Sequence, residues 1–141
     1  MTNRILTPVG ELTIHQPAEG PAFAQGTSKE GETASIFFSI QLDEQNRTEH
    51  LPYGFIREKL RHLDRYCRDA RQFLIAEFGC PPGEDEAAVV SHPEVTFWDD
   101  LYWSVRFAEG TLDICRPHGV LVHWKGEQII GYDDLSVVEK V

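Results

Sequence analysis

Potential metal ligands cluster near residue 115. Cys115, His118 and His123 follow a C-x2-H-x4-H spacing, and Asp113 lies just before them. Zinc accepts cysteine and histidine ligands, but a structural zinc site needs four ligands in a closed shell. A tight turn at residues 117–119 would bring Cys115 and His123 together, yet no CxxC pair accompanies them. We therefore predict no metal site here.

Residues suited to nucleophilic or acid–base catalysis are present without a recognised arrangement. Cys67 or Cys115 could pair with a histidine, but Cys67 falls on an apolar helix stripe, where a thiol normally packs. Asp99 and Asp100 are adjacent, so along a strand they would point in opposite directions. The chain has no GxGxxG, GxxxxGK[ST], HExxH or GxSxG motif. We therefore predict no enzyme, no catalytic residue and no cofactor.

An aromatic segment with adjacent acids, residues 97–103, is the candidate for contact with a partner. If this segment is extended, Trp98 and Tyr102 lie opposite Phe97, Leu101 and Trp103. Tryptophan and tyrosine near carboxylates are typical of interface hot spots, although some of these rings must pack in the core. The predicted contact surface consists of Glu84, Asp85, Glu86, Trp98, Asp99, Asp100 and Tyr102.

The charge distribution narrows the class of partner. The chain has 23 acidic and 13 basic side chains and a net charge of −10, which argues against nucleic acid as a partner. Excess acids often serve only solubility, but a negative surface also steers a basic protein partner. Five arginines, at positions 57, 61, 65, 68 and 71, would share one helix face. This ridge either binds an anion or an acidic partner, or is simply solvated.

Length and composition indicate one domain, residues 1–141, in the cytoplasm. A chain of 141 residues is long enough for a single core. No apolar run approaches the roughly 18–20 residues of a membrane span, and no secretory signal is visible at the N-terminus. Three cysteines form an odd, sparse set, which fits a reducing compartment better than a disulfide framework.

Strands and one helix must position these residues. Residues 11–15 and 34–42 alternate apolar and polar side chains and are predicted to be strands, whereas residues 16–33 read as a mobile turn region. Residues 55–78 are predicted to form one long amphipathic helix that stops at Gly79. Its apolar stripe consists of Ile56, Leu60, Leu63, Cys67, Ala70 and Leu74.

The last third is predicted to be an antiparallel meander. Residues 101–108, 111–116, 120–124 and 127–132 alternate between turn signals. Residues 84–90 could form a brief second helix, and the tail from Asp134 is either a helix or an edge strand. We therefore predict an α+β fold, in which a mostly antiparallel sheet carries the helix on one face.

The order of elements resembles small bacterial α+β immunity proteins, which are encoded beside polymorphic or contact-delivered toxins. The resemblance covers about residues 50–141. It rests on the helix segment 66–74, the aromatic segment 97–103 and the glycine-punctuated hairpins that end at Tyr132. What it implies is binding and neutralisation of a cognate toxin, with no transfer of individual site residues.

These observations predict an acidic protein-binding module, and the resemblance favours an immunity protein whose partner is a basic toxin. Two alternatives stay open. One is a small-ligand-binding or enzymatic domain with a pocket between helix and sheet, in which Arg65 or Arg68 holds an anionic group. The other is a structural subunit that forms a homodimer through the open face of its sheet.

Overall fold

Among the described residues, eight strands form one sheet in which every strand lies beside its neighbours in the sequence. The computed structural model describes residues 3–28, 36–45, 47–49, 51–79, 91–98, 101–109 and 119–134. The elements are β1 (Asn3–Thr7), β2 (Gly10–His15), β3 (Phe23–Ser28), β4 (Ile36–Gln41), α1 (Tyr53–Arg61), α2 (Leu63–Phe78), β5 (Ser91–Phe97), β6 (Tyr102–Glu109), β7 (Val120–Lys125) and β8 (Gln128–Asp134).

The sheet consists of two four-stranded meanders joined edge to edge. All strand pairs are antiparallel except β4 and β5, which are parallel, with Phe38 opposite Val95 and Ile40 opposite Phe97. A parallel pair needs a long crossover connection, and the segment that contains α1 and α2 supplies it. The α+β class and the mostly antiparallel sheet agree with the sequence prediction.

The prediction of one long helix is not confirmed, because the helical segment is broken at His62. This residue has φ −107° and ψ 25°, outside the helical region, and separates α1 from α2. The apolar stripe nevertheless continues across the break, since Leu60 and Leu63 are both buried. A break of one residue hardly disturbs the spacing of apolar residues at a period near 3.6, so this spacing could not reveal the break at His62. Neither described helix is long and apolar enough to cross a membrane.

The interpretation of residues 16–33 as a mobile turn region is wrong, because β3 lies within it. The inward side of β3 carries Ala24 and Gly26, which give no hydrophobic signal in the sequence. A Cβ atom on Gly26 would lie 2.6 Å from Cδ2 of Leu12, so the leucine side chain would have to shift to make room for it. Strands β1 and β5 were also not predicted, the latter because Pro93 interrupts its pattern.

Other expected elements are found or lie outside the described residues. The alternating segments that begin at residues 11, 101, 120 and 127 correspond to β2, β6, β7 and β8. The strand predicted at 34–42 is observed as β4, with residues 34 and 35 outside the described part. The predicted strand 111–116, the brief helix 84–90 and the tail beyond Asp134 also lie outside it.

A column of stacked rings forms the centre of the core. Phe97, Trp103 and Trp124 lie in register on β5, β6 and β7. The ring centroids of Trp103 and Trp124 are 4.6 Å apart and those of Phe97 and Trp103 are 6.0 Å apart, both stacked. Tyr66 of α2 meets Trp103 edge-on at 4.9 Å. Burial of large rings is the main source of stability in such a layer, and here it fixes α2 on β6 and β7.

A buried lysine links both helices to the β7–β8 turn. Lys59 of α1 is 3% exposed, and its amine donates to the hydroxyl of Tyr66 at 2.7 Å. The same amine lies 2.8 Å from Glu58 and 3.7 Å from Glu127. Burial opposes the charged amine, but the hydrogen bonds to Glu58 and Tyr66 outweigh it and raise the pKa of Lys59. The amine therefore stays charged, and these partners compensate its removal from water.

Gly119 allows the chain to enter β7 close to β6. Its φ is +91°, and a Cβ atom there would overlap the carbonyl oxygen of Phe107. Gly126 has φ +60° but nothing within 4 Å of an added Cβ.

We expect Gly126→Ala to lower the free energy of unfolding by about 1 kcal/mol through backbone strain alone. Gly119→Ala should lower it by at least about 3 kcal/mol, because overlap adds to strain. Urea unfolding of both variants checks this, and equal losses would contradict it.

Candidate functional site

Two predicted contact residues, Trp98 and Tyr102, lie together where β5 leads into β6. The backbone N–H of Trp98 donates to the carbonyl oxygen of Tyr102 at 2.8 Å. Phe97 and Trp103 are buried beneath the helices, so the alternation along each strand directs Trp98 and Tyr102 to the opposite face of the sheet. We call this face, on the side away from α1 and α2, the outer face. Each of the two aromatic side chains is 37% exposed.

The acidic members of the predicted contact surface lie outside the described residues. These are Glu84, Asp85, Glu86, Asp99 and Asp100. Asp99 and Asp100 directly follow Trp98 in the sequence, so they are close to the aromatic pair along the chain. The structure therefore brings together the aromatic half of the predicted surface and does not describe the acidic half.

Trp98 is exposed but held in place by several contacts. Its indole Nε1–H donates to Oγ of Ser104 on β6 at 3.0 Å. Its ring meets Phe23 of β3 edge-on, with centroids 6.0 Å apart. Tyr102 is covered on one side by Lys125, whose Nζ lies 4.8 Å from the ring centroid. These contacts order a large amphipathic side chain before any partner arrives.

A chain of hydrogen bonds crosses three strands of the outer face behind Trp98. Oγ of Ser104 lies 2.7 Å from Nδ1 of His123 on β7, and Nε2 of His123 lies 2.7 Å from Oδ2 of Asp133 on β8. An ionised carboxylate can only accept, so Nε2–H donates to Asp133. In neutral His123, Nδ1 then accepts from the Ser104 hydroxyl, and the Ser104 oxygen accepts from Trp98.

Serine, histidine and aspartate hydrogen-bonded in this order form the catalytic triad of many hydrolases. A serine can act as the nucleophile only if a substrate can reach its oxygen, so the exposure of Ser104 decides whether it has that role. Ser104 is only 1% exposed, and its oxygen already accepts the indole proton of Trp98. A substrate carbonyl cannot reach this oxygen while Trp98 keeps its position. The hydrogen bonds therefore act as a support that fixes Trp98 relative to β6, β7 and β8.

The predicted absence of a metal site concerns mostly residues that are not described. Asp113, Cys115 and His118 lie outside the described segments, and His123 is engaged by Ser104 and Asp133. Within the segments that are described, no group of three or more metal-ligating side chains occurs. Among the described residues, His123 therefore has a structural role as the middle group of the hydrogen-bond chain.

Two carboxylates on the described part of the outer face have close partners. Glu94 of β5 lies 3.1 Å from the guanidinium of Arg106 on β6. Asp133 accepts from Nε2–H of His123 at 2.7 Å, a hydrogen bond that does not cancel its charge while His123 is neutral. Neighbouring opposite charges reduce the field that a carboxylate presents to a distant partner. An acidic zone beside Trp98 therefore depends on residues outside the described segments, above all Asp99 and Asp100.

A cavity of about 480 Å³ lies on the other side of Trp98, at the carboxyl ends of β4 and β5. Ile40, Leu42 and Phe97 border it from the core, and Leu51 and Pro52 border it just before α1. Apolar side chains thus predominate in its lining. The alternative of a pocket between helix and sheet stays a prediction, because the lining reaches Leu51 and Pro52 just before α1 and includes no described residue of α1 or α2.

The arginines proposed for that alternative lie elsewhere. Arg65 donates to the hydroxyl of Tyr66 at 2.8 Å and lies 3.4 Å from Glu127, and Arg68 is exposed on α2. Neither borders the cavity, where Arg47 is the basic residue. Cys67, the other candidate for chemistry on α2, is buried, and this burial raises the pKa of its thiol to about 12. It therefore stays protonated near neutral pH and acts as a packing residue.

The sequence did not predict the hydrogen bonds of Ser104, His123 and Asp133 that support Trp98. The alternation of β6 and β7 places Ser104 and His123 on the outer face, but it gives no pairing register. The register of β6 and β7 sets Ser104 opposite His123, and the register of β7 and β8 brings Asp133 within hydrogen-bonding distance of His123. These registers are set by the backbone pairing of the strands. The only local signal was a serine and a histidine at outward positions, which are common on any solvated sheet face.

We expect Ser104→Ala to release the indole of Trp98. The change leaves Nε1–H of Trp98 and Nδ1 of His123 without their shared partner, and so lowers the free energy of unfolding by about 1–3 kcal/mol. Ser39→Ala is the matched control, since Ser39 is also buried on this face but bonds only to Gln25 at 3.4 Å among the described residues. Hydrogen exchange of the tryptophan indole protons, followed by NMR, should speed up for Trp98 in Ser104→Ala only. Unchanged protection would contradict the support role.

Comparisons with protein-family models, with curated proteins and with solved structures each find no match for this chain.

Proposed function

We propose that the chain is a protein-binding module that docks its partner on the outer face around Trp98 and Tyr102. The observation that carries the proposal is the state of Trp98: its side chain is more than one-third exposed and yet has fixed partners for its indole N–H, its backbone N–H and its ring. A rigid aromatic side chain of this kind loses little conformational entropy when a partner covers it.

Interface energetics favour such a residue as an anchor. A few residues dominate the affinity of most interfaces, and tryptophan, tyrosine and arginine are the most frequent among them. Trp98 and Tyr102 are neighbours through the 2.8 Å backbone hydrogen bond, and the ion pair of Arg106 with Glu94 lies on the same face. The outer face therefore combines two aromatic anchors with polar groups that are already hydrogen-bonded.

The class of partner follows from charge and from the resemblance noted in the sequence. A chain with net charge −10 attracts basic proteins and repels acidic ones. Immunity proteins of bacterial toxin systems are acidic partners of this kind when the toxin carries a positive active site for phosphates. We therefore propose that the chain binds and neutralises a cognate basic toxin, in the cytoplasm, without catalysis of its own.

Trp98→Ala should abolish most of this binding. The partner to use is the product of the gene next to this one, co-purified at low salt and titrated by calorimetry. Loss of the central anchor should weaken affinity by about 30- to 700-fold, which corresponds to about 2–4 kcal/mol. Leu6→Ala is the matched control, because Leu6 is 87% exposed on the outer face but lies on β1, four strands away.

Two results would overturn the proposal. One is a Trp98→Ala variant that binds as tightly as the Leu6→Ala control. The other is a wild-type chain that neither associates with the neighbouring gene product nor relieves its toxicity. Sedimentation of the chain alone at high concentration completes the test, since a dimer that Trp98→Ala dissociates would assign the outer face to self-association instead.

The acids beside Trp98 should act mainly on the association rate. We expect Asp99→Asn with Asp100→Asn to slow association several-fold at low salt, because rim charges steer the encounter more than they hold the complex. Glu11→Gln with Glu77→Gln makes the same change in net charge at two exposed positions, one on β2, three strands from β5, and one on α2. Stopped-flow measurements should separate the two variants at low salt but not at about 1 M salt, where the Debye length is about 3 Å. Equal rates at low salt would show that position does not matter.

A further inference from the structure

The cavity beside Trp98 is built from core residues. Ile40, Leu42 and Phe97 are each at most 3% exposed, yet all three border a volume of about 480 Å³. Trp98 and Leu101 form the wall toward the β5–β6 connection. Small-molecule sites in proteins usually have about 300–1,000 Å³ and a mostly apolar lining. The size and lining of this cavity are those of a ligand site.

Hydrogen bonds hold several residues of the cavity lining. The Asp43 carboxylate accepts from the backbone N–H of Gln45 and Arg47 and from Nε of Arg47, at 3.1, 3.0 and 2.8 Å. The backbone hydrogen bond from Arg47 is the main cause of a lowered pKa of Asp43. The carbonyl oxygen of Leu101, another lining residue, accepts from the backbone N–H of Gly126 at 3.1 Å. Asp43, Arg47 and Leu101 thus have fixed partners without a ligand.

The backbone conformation of Leu101 also favours a ligand site. Its φ is +64°, and it is the only residue other than glycine with positive φ among the described residues. This left-handed conformation is unfavourable for a side chain with a Cβ atom, and such strained residues concentrate at ligand sites. The strained backbone places Leu101 in the cavity wall beside Trp98.

The charges around the cavity indicate the charge of the ligand that fits it. Arg47 is the basic residue of the lining, and its guanidinium is already neutralised by Asp43 at 2.8 Å. The chain as a whole carries −10, so an anion gains no net attraction here, and Asp43, the acid of the lining, is paired with Arg47 and therefore offers a cation little. Gln41 and the Asp43–Arg47 pair are the polar residues of the lining, and they can still form hydrogen bonds with a neutral polar group. The lining therefore suits an apolar ring system that has at most one uncharged polar group.

We propose that this cavity binds an uncharged, ring-bearing small molecule of two to three rings. The rings pack on Phe97, Trp98 and Leu101, and a hydroxyl, aromatic amine or amide of the ligand bonds to a polar residue of the lining. This site is separate from the docking of a protein on the outer face, although Trp98 borders both. Binding of the ligand needs no partner protein, so the two proposals can fail independently.

A pair of fluorescent probes tests the charge and shape requirement in the full chain. N-phenyl-1-naphthylamine is uncharged, and 8-anilinonaphthalene-1-sulfonate has the same ring system with a sulfonate. Both emit strongly only in apolar surroundings. We expect the uncharged probe to bind in a saturable, one-to-one manner and at least about tenfold more tightly than the sulfonate. No emission with the uncharged probe, or tighter binding of the sulfonate, would overturn the proposal.

Two matched tryptophan variants locate the probe. Leu51→Trp puts an indole into the cavity and should reduce binding of the uncharged probe at least tenfold, whereas Leu6→Trp on β1 should leave it unchanged. If Leu51→Trp does not fold, as judged by circular dichroism, Leu51→Ala replaces it and should weaken binding several-fold through lost contact. Equal affinities of the Leu51 and Leu6 variants would place the probe elsewhere and refute the site.

Discussion

The structure depends on the contacts of one buried side chain, Tyr66. Its ring meets Trp103 edge-on at 4.9 Å, and its hydroxyl accepts from Lys59 at 2.7 Å and from Arg65 at 2.8 Å. Through these contacts α1, α2 and the strands β6 and β7 share one centre. Edge-to-face ring pairs add about 0.5–1.5 kcal/mol beyond burial, and hydrogen bonds to charged groups add about 1.5–3 kcal/mol. Without the tyrosine hydroxyl, the buried Lys59 amine would lose one of the partners that compensate its burial.

This core determines what the outer face presents. Phe97 and Trp103 are fixed in the ring column, so the next residues outward, Trp98 and Tyr102, are fixed on the other face of the sheet. Trp98 stands where the strand ends, and its ring therefore borders both the outer face and the cavity at the carboxyl ends of β4 and β5. A protein partner and a small ligand would thus meet the same indole from two sides, which couples the two proposed sites physically.

Much of this arrangement could be read from local periodicity. Alternation of apolar and polar residues predicted most strands of the sheet, and the spacing of Ile56, Leu60 and Leu63 predicted the buried side of both helices. The same alternation put Trp98 and Tyr102 opposite Trp103, because side-chain direction in a strand is a property of the backbone itself. The aromatic half of the candidate surface was therefore predictable before any tertiary contact was known.

The sequence by itself determined which residues face the core, which face the solvent and how charge is divided along the chain, because these properties follow from residue type and local spacing. Tertiary structure alone decided the pairing of distant segments. Gly26 lies in β3 because it pairs with Phe38 of β4, and its lack of a Cβ atom leaves room for the side chain of Leu12. Ser104 and His123 support Trp98 only because the strand register sets them side by side. Such contacts join residues far apart in the chain, and no local pattern records them.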